Sequence, residues 1–259
     1  IGMALTGMRP ISEIMFADFM LVAMDQIVNQ MNKVCYMSGG QKNVPMVIRT
    51  TIGAGRAAAA QHSQSLLAPI AHFPGAKIVI PSDAYTAKGL LKSAIRDNNP
   101  VIVVEHRKQF SMEYDMPDDA DENLLIPIGK SAVVHGGTDV TVVASAYQVG
   151  QCVNVAKHLE KKGISVEVID LRTLVPLDKE TIVKSVKKTG RLLIVDEGYE
   201  SFGVAAEITA AIEKDVFYDL DMPISRLAAP DVPIPFSPAL EKLIVPTEKT
   251  ILNAIKELV

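Results

Sequence analysis

Apolar and polar positions follow two rhythms along this chain. Short runs rich in Val and Ile, with little polar interruption, stand at residues 44–49, 77–80, 101–105, 140–144, 165–169, 191–195 and 224–228. Bounded by Pro or Gly, such runs read as strands buried on both faces, the habit of parallel sheets. Between them the apolar spacing lengthens to a helical period. Over residues 18–36, Leu21, Met24, Ile27, Val28, Met31 and Val34 share one stripe, which predicts a helix whose Met residues fill core. Asp83 is placed to cap a helix over 84–96, and Asp178 one that runs to Lys188 and stops at Gly190. Residues 148–162 read as a helix ended by Gly163, and the opening stretch as the end of a helix stopped by Gly7. Residues 204–214 and 248–258 are amphipathic and also read as helices. Strands alternating with helices predict an α/β fold of mainly parallel sheets flanked by helices.

The rhythm breaks once. Residues 111–123 are acidic and poor in aliphatic side chains, and they lead to Ile126-Pro-Ile-Gly129. A solvated linker over 116–128 is expected there, dividing the chain into domains 1–115 and 129–259, each of ordinary size.

Composition serves to exclude. Apolar residues make up 48% and charged residues 22%, the balance of a globular protein and not of a disordered one. With 26 basic and 30 acidic residues the net charge is −4, so no polybasic footprint for nucleic acid or anionic membrane exists. No apolar run approaches the ~18 residues of a membrane span. Cys35 and Cys152 form no C-x-x-C pair, and the histidines show no metal-binding spacing, so a reducing, cytoplasmic setting is expected. The chain opens on Ile1 in mid-pattern without signal-peptide features, which suggests further sequence upstream.

Candidate chemistry gathers after residue 52. Gly53-Ala-Gly55-Arg-Ala-Ala58 has the G-x-G-x-x-A form of a pyrophosphate cradle. Against that, Thr50-Thr51-Ile52 separates it from the apolar core of the strand. The acidic residue expected about 20 positions on is also missing, the first being Asp83. A glycine-rich active-site or interface loop is the alternative. It leads to Gln61-His62-Ser63-Gln64, where His62 reads equally as a structural or a catalytic group. Arg96-Asp-Asn-Asn-Pro100 closes a helix whose last carbonyls need a cap, water or a cation. Glu105-His106 and Asp196-Glu197 stand at the carboxyl ends of expected strands, the edge that ligands favour.

Taken in order, Met37–Gly40 (MSGG), Arg49–Gly55, Ala59–Gln64 (AAQHSQ), His72–Gly75 (HFPG), Ala94–Val101 (AIRDNNPV), Val168–Leu174 (VIDLRTL) and Asp231–Phe236 (DVPIPF) carry a resemblance. Over essentially its whole length the chain resembles the β subunits of thiamine-diphosphate-dependent 2-oxoacid dehydrogenases. Pyruvate and acetoin members are nearest, and Arg49-Thr-Thr51 leans towards acetoin. The resemblance implies a transketolase-like architecture, a pyrimidine-binding domain followed by a transketolase C-terminal domain. It implies an α2β2 assembly whose α subunit holds magnesium and the diphosphate, in keeping with the lack of Gly-Asp-Gly in these residues. It implies transfer of an acyl group to a lipoyl group on a dihydrolipoyl acyltransferase, in the cytoplasm or, in a eukaryote, the mitochondrial matrix. Position by position, Met15 and Phe19 would line the aminopyrimidine and His62 would be the active-site histidine. The carbonyls of Met46, Ala94, Ile95, Asp97 and Asn99 would hold a structural potassium ion. The family's catalytic glutamate lies upstream of the small-residue helix, so Glu13 does not inherit its role and the chain is expected to start after it. A split transketolase-like enzyme and a non-catalytic scaffold subunit remain the alternatives.

Overall fold

The computed structural model describes residues 1–117 and 121–259. The first half runs α1 (Gly2–Leu5), β1 (Ile11–Ile14), α2 (Val34–Met37), β2 (Val47–Ile52), α3 (Leu67–His72), β3 (Lys77–Val79), α4 (Ala84–Arg96) and β4 (Val101–His106). The second runs β5 (Ala132–His135), β6 (Val140–Ala144), α5 (Tyr147–Glu160), β7 (Val166–Asp170), β8 (Thr173–Val175), α6 (Lys179–Thr189), β9 (Leu192–Tyr199), α7 (Val204–Val216), β10 (Ser225–Ala229), α8 (Pro238–Ile244) and α9 (Glu248–Lys256). Among the described residues these form two five-stranded sheets, ordered β1-β2-β4-β3-β8 and β10-β9-β6-β7-β5. Pairing is parallel except where β8 meets β3 and β5 meets β7.

The predicted strands form the centres of these sheets, except the run at 224–228, which becomes the edge strand β10. β6 and β7 are buried at every position, as Val/Ile runs without alternation require. The expected caps also form. Asp83 and Thr86 make a reciprocal capping box on α4, the Asp178 carboxylate accepts from Thr181 N–H on α6, and Gly190 ends α6 in the left-handed conformation. The sequence pattern missed β1, whose first three residues face solvent, and it missed the short edge strands β5 and β8.

Two expectations are corrected. The single helix over 18–36 is a tight turn at Ala17–Leu21, a wide turn at Gln26–Met31 and then α2. The wide turn bonds Asn32 N–H to the Ile27 carbonyl five residues back. It turns Ile27, Val28 and Met31 into the core while Asn32 presses on Gly75, where any Cβ would meet the Asn32 carbonyl at 2.3 Å. The linker is not solvated throughout. Leu124 and Ile126 are buried against α4 and β4, and Ser93 Oγ donates to the Ile126 carbonyl. Residues 118–120 of that expected linker lie outside the described residues.

The two halves are laced together. β8 crosses from the second half to pair with β3, and one apolar cluster runs from Ile78 and Ile102 to Val143, Ile169 and Ile194. The carboxyl ends of β2, β4 and β9 therefore meet at the junction, which positions the groups described next.

Candidate active site

β1 and β2 run parallel and end together. Thr51 Oγ donates to the Met15 carbonyl, tying the end of β1 to the end of β2. The turn that follows β1 presents Phe16 and Phe19, while the loop after β2 returns with His62. The His62 ring stands edge-on to both, with centroids 4.9 Å from Phe16 and 5.3 Å from Phe19 and near-perpendicular planes. Gln64 Nε2 donates to buried Asp18 at 2.8 Å and fastens the loop beyond His62 to the same turn. Arg107 lies 5.5 Å from the Phe16 ring centre. Met15 and Phe19 remain 62% and 42% exposed, an apolar shelf beside the histidine. The fold thus brings Phe19 onto His62, with Met15 at the head of the same turn. Phe16 was not singled out in the sequence, although it lies between them.

Behind this shelf the loop 53–57 rests on two carboxylates of the second half. Ala54 N–H donates to Glu197 at 2.7 Å. Gly55, Arg56 and Ala57 N–H groups donate to Glu241 at 2.6, 3.3 and 3.1 Å. These are the donors that a pyrophosphate would need, so the dinucleotide reading fails: the chain's own carboxylates fill the cradle. Gly53 has φ +110, and a Cβ there would lie 2.1 Å from His106 Nε2, so only glycine fits. Glu197 also meets His106 Nε2 at 2.9 Å and Gln148 Nε2 at 3.0 Å, and Tyr147 stacks on the His106 ring. Burial pushes the Glu197 carboxyl upward. The His106 ring and the N–H donors outweigh it and bring the pKa down to about 2. Glu197 and His106 carried a signal in the sequence as strand-end polar groups. Glu241 carried none.

The expected cation carbonyls lie at the far end of α4. Those of Ile95 and Asp97 converge on the guanidinium of Arg9, at 3.1 and 2.7 Å, and Arg9 also donates to Asn98 Oδ1. The Met46 carbonyl accepts from Val101 N–H and that of Ala94 from Asp97 N–H. Burial raises the Asp97 carboxyl, but the bond from Lys77 and those from Asn99 bring it below the ordinary carboxylate range. The donor set is of carbonyl oxygens at a helix C-terminus, which suits a hard cation, and two of its members already face the chain's own positive charge. Among the described residues no cluster of three His, Cys, Asp or Glu side chains suits a metal ion, and no helix is long and apolar enough to cross a membrane.

Comparisons with known proteins agree with this fold. Residues 1–112 match the transketolase pyrimidine binding domain, and residues 129–251 the transketolase C-terminal domain. The chain is 47% identical over 259 residues to the mitochondrial pyruvate dehydrogenase E1 component subunit beta of Bos taurus, covering 99% of this chain and 72% of that protein. It is 45% identical over 257 residues to the acetoin:2,6-dichlorophenolindophenol oxidoreductase subunit beta of Cupriavidus necator, covering 99% and 75%. Identity therefore does not separate the two types. Among solved structures, a split-gene transketolase described as an inactive beta4 tetramer superposes with a TM-score of 0.77 at 24% identity, over 99% of this chain and 78% of that one, a likeness of fold alone.

Proposed function

The chain belongs to the family of pyruvate and acetoin dehydrogenase β subunits, and we propose that it works as the β half of a thiamine-diphosphate-dependent dehydrogenase. Its substrate would be a 2-oxoacid, pyruvate foremost, or acetoin. The reaction is decarboxylation or carbon–carbon cleavage followed by reductive acylation of a lipoyl group on a dihydrolipoyl acyltransferase. The observation that carries this reading is His62 held edge-on to Phe16 and Phe19 beside an exposed apolar shelf.

The shelf fits a flat heteroaromatic ring. Met15 and Phe19 stay exposed although Ala17 and Met20 around them are fully buried. When bound, thiamine diphosphate supplies the electron sink for bond cleavage. Met15 and Phe19 would wall off its aminopyrimidine from water. His62 would hold or give a proton at a ring nitrogen towards the substrate oxygen, oriented by its two aromatic neighbours. Magnesium and the diphosphate would fall to an α subunit in an α2β2 assembly, since these residues contain no Gly-Asp-Gly. A potassium ion would be held by the carbonyls of Met46, Ala94, Ile95, Asp97 and Asn99. Carbonyl oxygens have two lone pairs, so it would share Ile95 and Asp97 with Arg9. We place the division into domains at 1–115 and 129–259, supported by family matches that stop at 112 and resume at 129. The cytoplasm, or the mitochondrial matrix in a eukaryote, is the proposed site of action.

The test is lipoamide-dependent turnover of the β polypeptide assembled with its α partner, comparing pyruvate, acetoin and branched-chain 2-oxoacids. We expect thiamine-dependent turnover of pyruvate or acetoin that falls about 100-fold or more in His62→Ala, the scale of general acid–base catalysis. A stable αβ complex without turnover on any substrate would favour the scaffold role. Ketol transfer without lipoamide-dependent activity would favour a split transketolase.

A further inference from the structure

Four consecutive backbone N–H groups, from Ala54 to Ala57, point at carboxylates that belong to the other half of the molecule. Glu241 accepts three of them, from the fourth position of α8, and is 2% exposed. Among the described residues no Lys or Arg pairs with it. Lys108 lies nearby against Gly55 without reaching ion-pair contact, so the buried carboxylate leans on its hydrogen bonds and the loop must stay where the carboxylate is. The loop in turn depends on the carboxylate. Gly53 and Gly55 have φ +110 and +92, and Ala57 and Ala59 hold φ +53 and +62, a region that alanine rarely enters. Strained backbone of this kind persists where its surroundings over-determine it, and here the bond from Ala57 N–H to Glu241 does so. His62 follows three residues after Ala59, and its own N–H bonds back to the Ala59 carbonyl at 3.4 Å.

We infer that Glu241 is a positioning residue: through α8, the C-terminal half clamps the loop that delivers His62 to the reacting centre. Glu197 supports the same loop one residue earlier and is itself braced by His106 and Gln148. The inference rests on the proposed role of His62, and its test separates the two.

The experiment compares Glu241→Ala and Glu241→Gln in the assembled αβ enzyme by amide hydrogen exchange and steady-state kinetics. In Glu241→Ala, exchange at residues 55–57 should quicken about ten-fold or more, while β6 amides stay protected. The kcat should fall about ten-fold with KM changed less than about two-fold. Glu241→Gln keeps an acceptor oxygen and should recover part of both effects. Unchanged exchange at 55–57 in both variants overturns the clamp. Faster exchange with unaltered kcat, in an enzyme that His62→Ala disables, overturns the positioning role. Should Glu241→Ala lose β6 protection through misfolding, Glu241→Gln carries the test. A fully active His62→Ala enzyme removes the functional reading instead, and exchange still decides whether Glu241 holds the loop.

Discussion

Replacing Glu197 by Gln should erase an acid-dependent share of stability. The carboxylate is buried at the junction and touches three groups, the Ala54 N–H, the Gln148 amide and the His106 ring. These bring its pKa from an ordinary 4.5 to about 2 in the folded protein. A depressed carboxyl pKa gives stability that is fully present above the unfolded value and is lost as pH falls through the folded one. The window is therefore pH 4.5 down to 2. The difference of about 2.5 units, at about 1.4 kcal/mol each, amounts to about 3 kcal/mol, against a total of about 5–15 kcal/mol for a typical domain. Urea unfolding of both proteins between pH 6 and pH 3 reads it. At pH 6 the wild type should be more stable by about 2–3 kcal/mol, because Gln offers one oxygen acceptor and no charge opposite His106. By pH 3 the gap should close by about 2 kcal/mol, since roughly 1.5 of those units are then spent. A gap that stays constant from pH 6 to pH 3 would refute the assignment of that pKa to the His106 and loop contacts.

Two further outcomes follow from the same junction. Gly53→Ala would drive a Cβ to 2.1 Å from His106 Nε2 at a φ of +110, so an enzyme that still folds should lose at least about 2 kcal/mol of stability and most of its turnover, checked by urea midpoint and kcat; unaltered values of both would contradict the close packing. Asp170 has the opposite sign to Glu197. Burial raises its carboxyl from 3.8 to about 6 despite bonds from Ser82 and Arg172, so stability should rise as pH falls from 6 towards 3.8, by about 3 kcal/mol, and Asp170→Asn should remove that slope in a pH series of unfolding midpoints.

Much of this molecule was written locally. Val140–Ala144 and Val166–Asp170 are strands because β-branched residues without polar alternation suit a sheet covered on both faces. Asp83, Asp178 and Gly190 mark helix ends because the orphan N–H and carbonyl groups must be met within a few residues. Along the chain, the likeness of Ala59–Gln64 and of the segments around it singled out His62, Met15 and Phe19.

What tertiary structure alone decided has no local code. The helix expected over 18–36 is opened because Asn32 must meet Gly75, more than forty residues away. β1 and β8 are edge strands, and pairing with a distant neighbour, not their own pattern, makes them strands. The carbonyls of Ile95 and Asp97 meet Arg9 across the first half of the chain. Glu241 reaches Gly55 across 186 residues, and nothing in the sequence marks it out. Propensity and periodicity report the free energy of a residue with its chain neighbours. The pairing of a buried carboxylate with a loop is settled by which distant groups the packed core leaves facing each other, and that is a property of the whole fold.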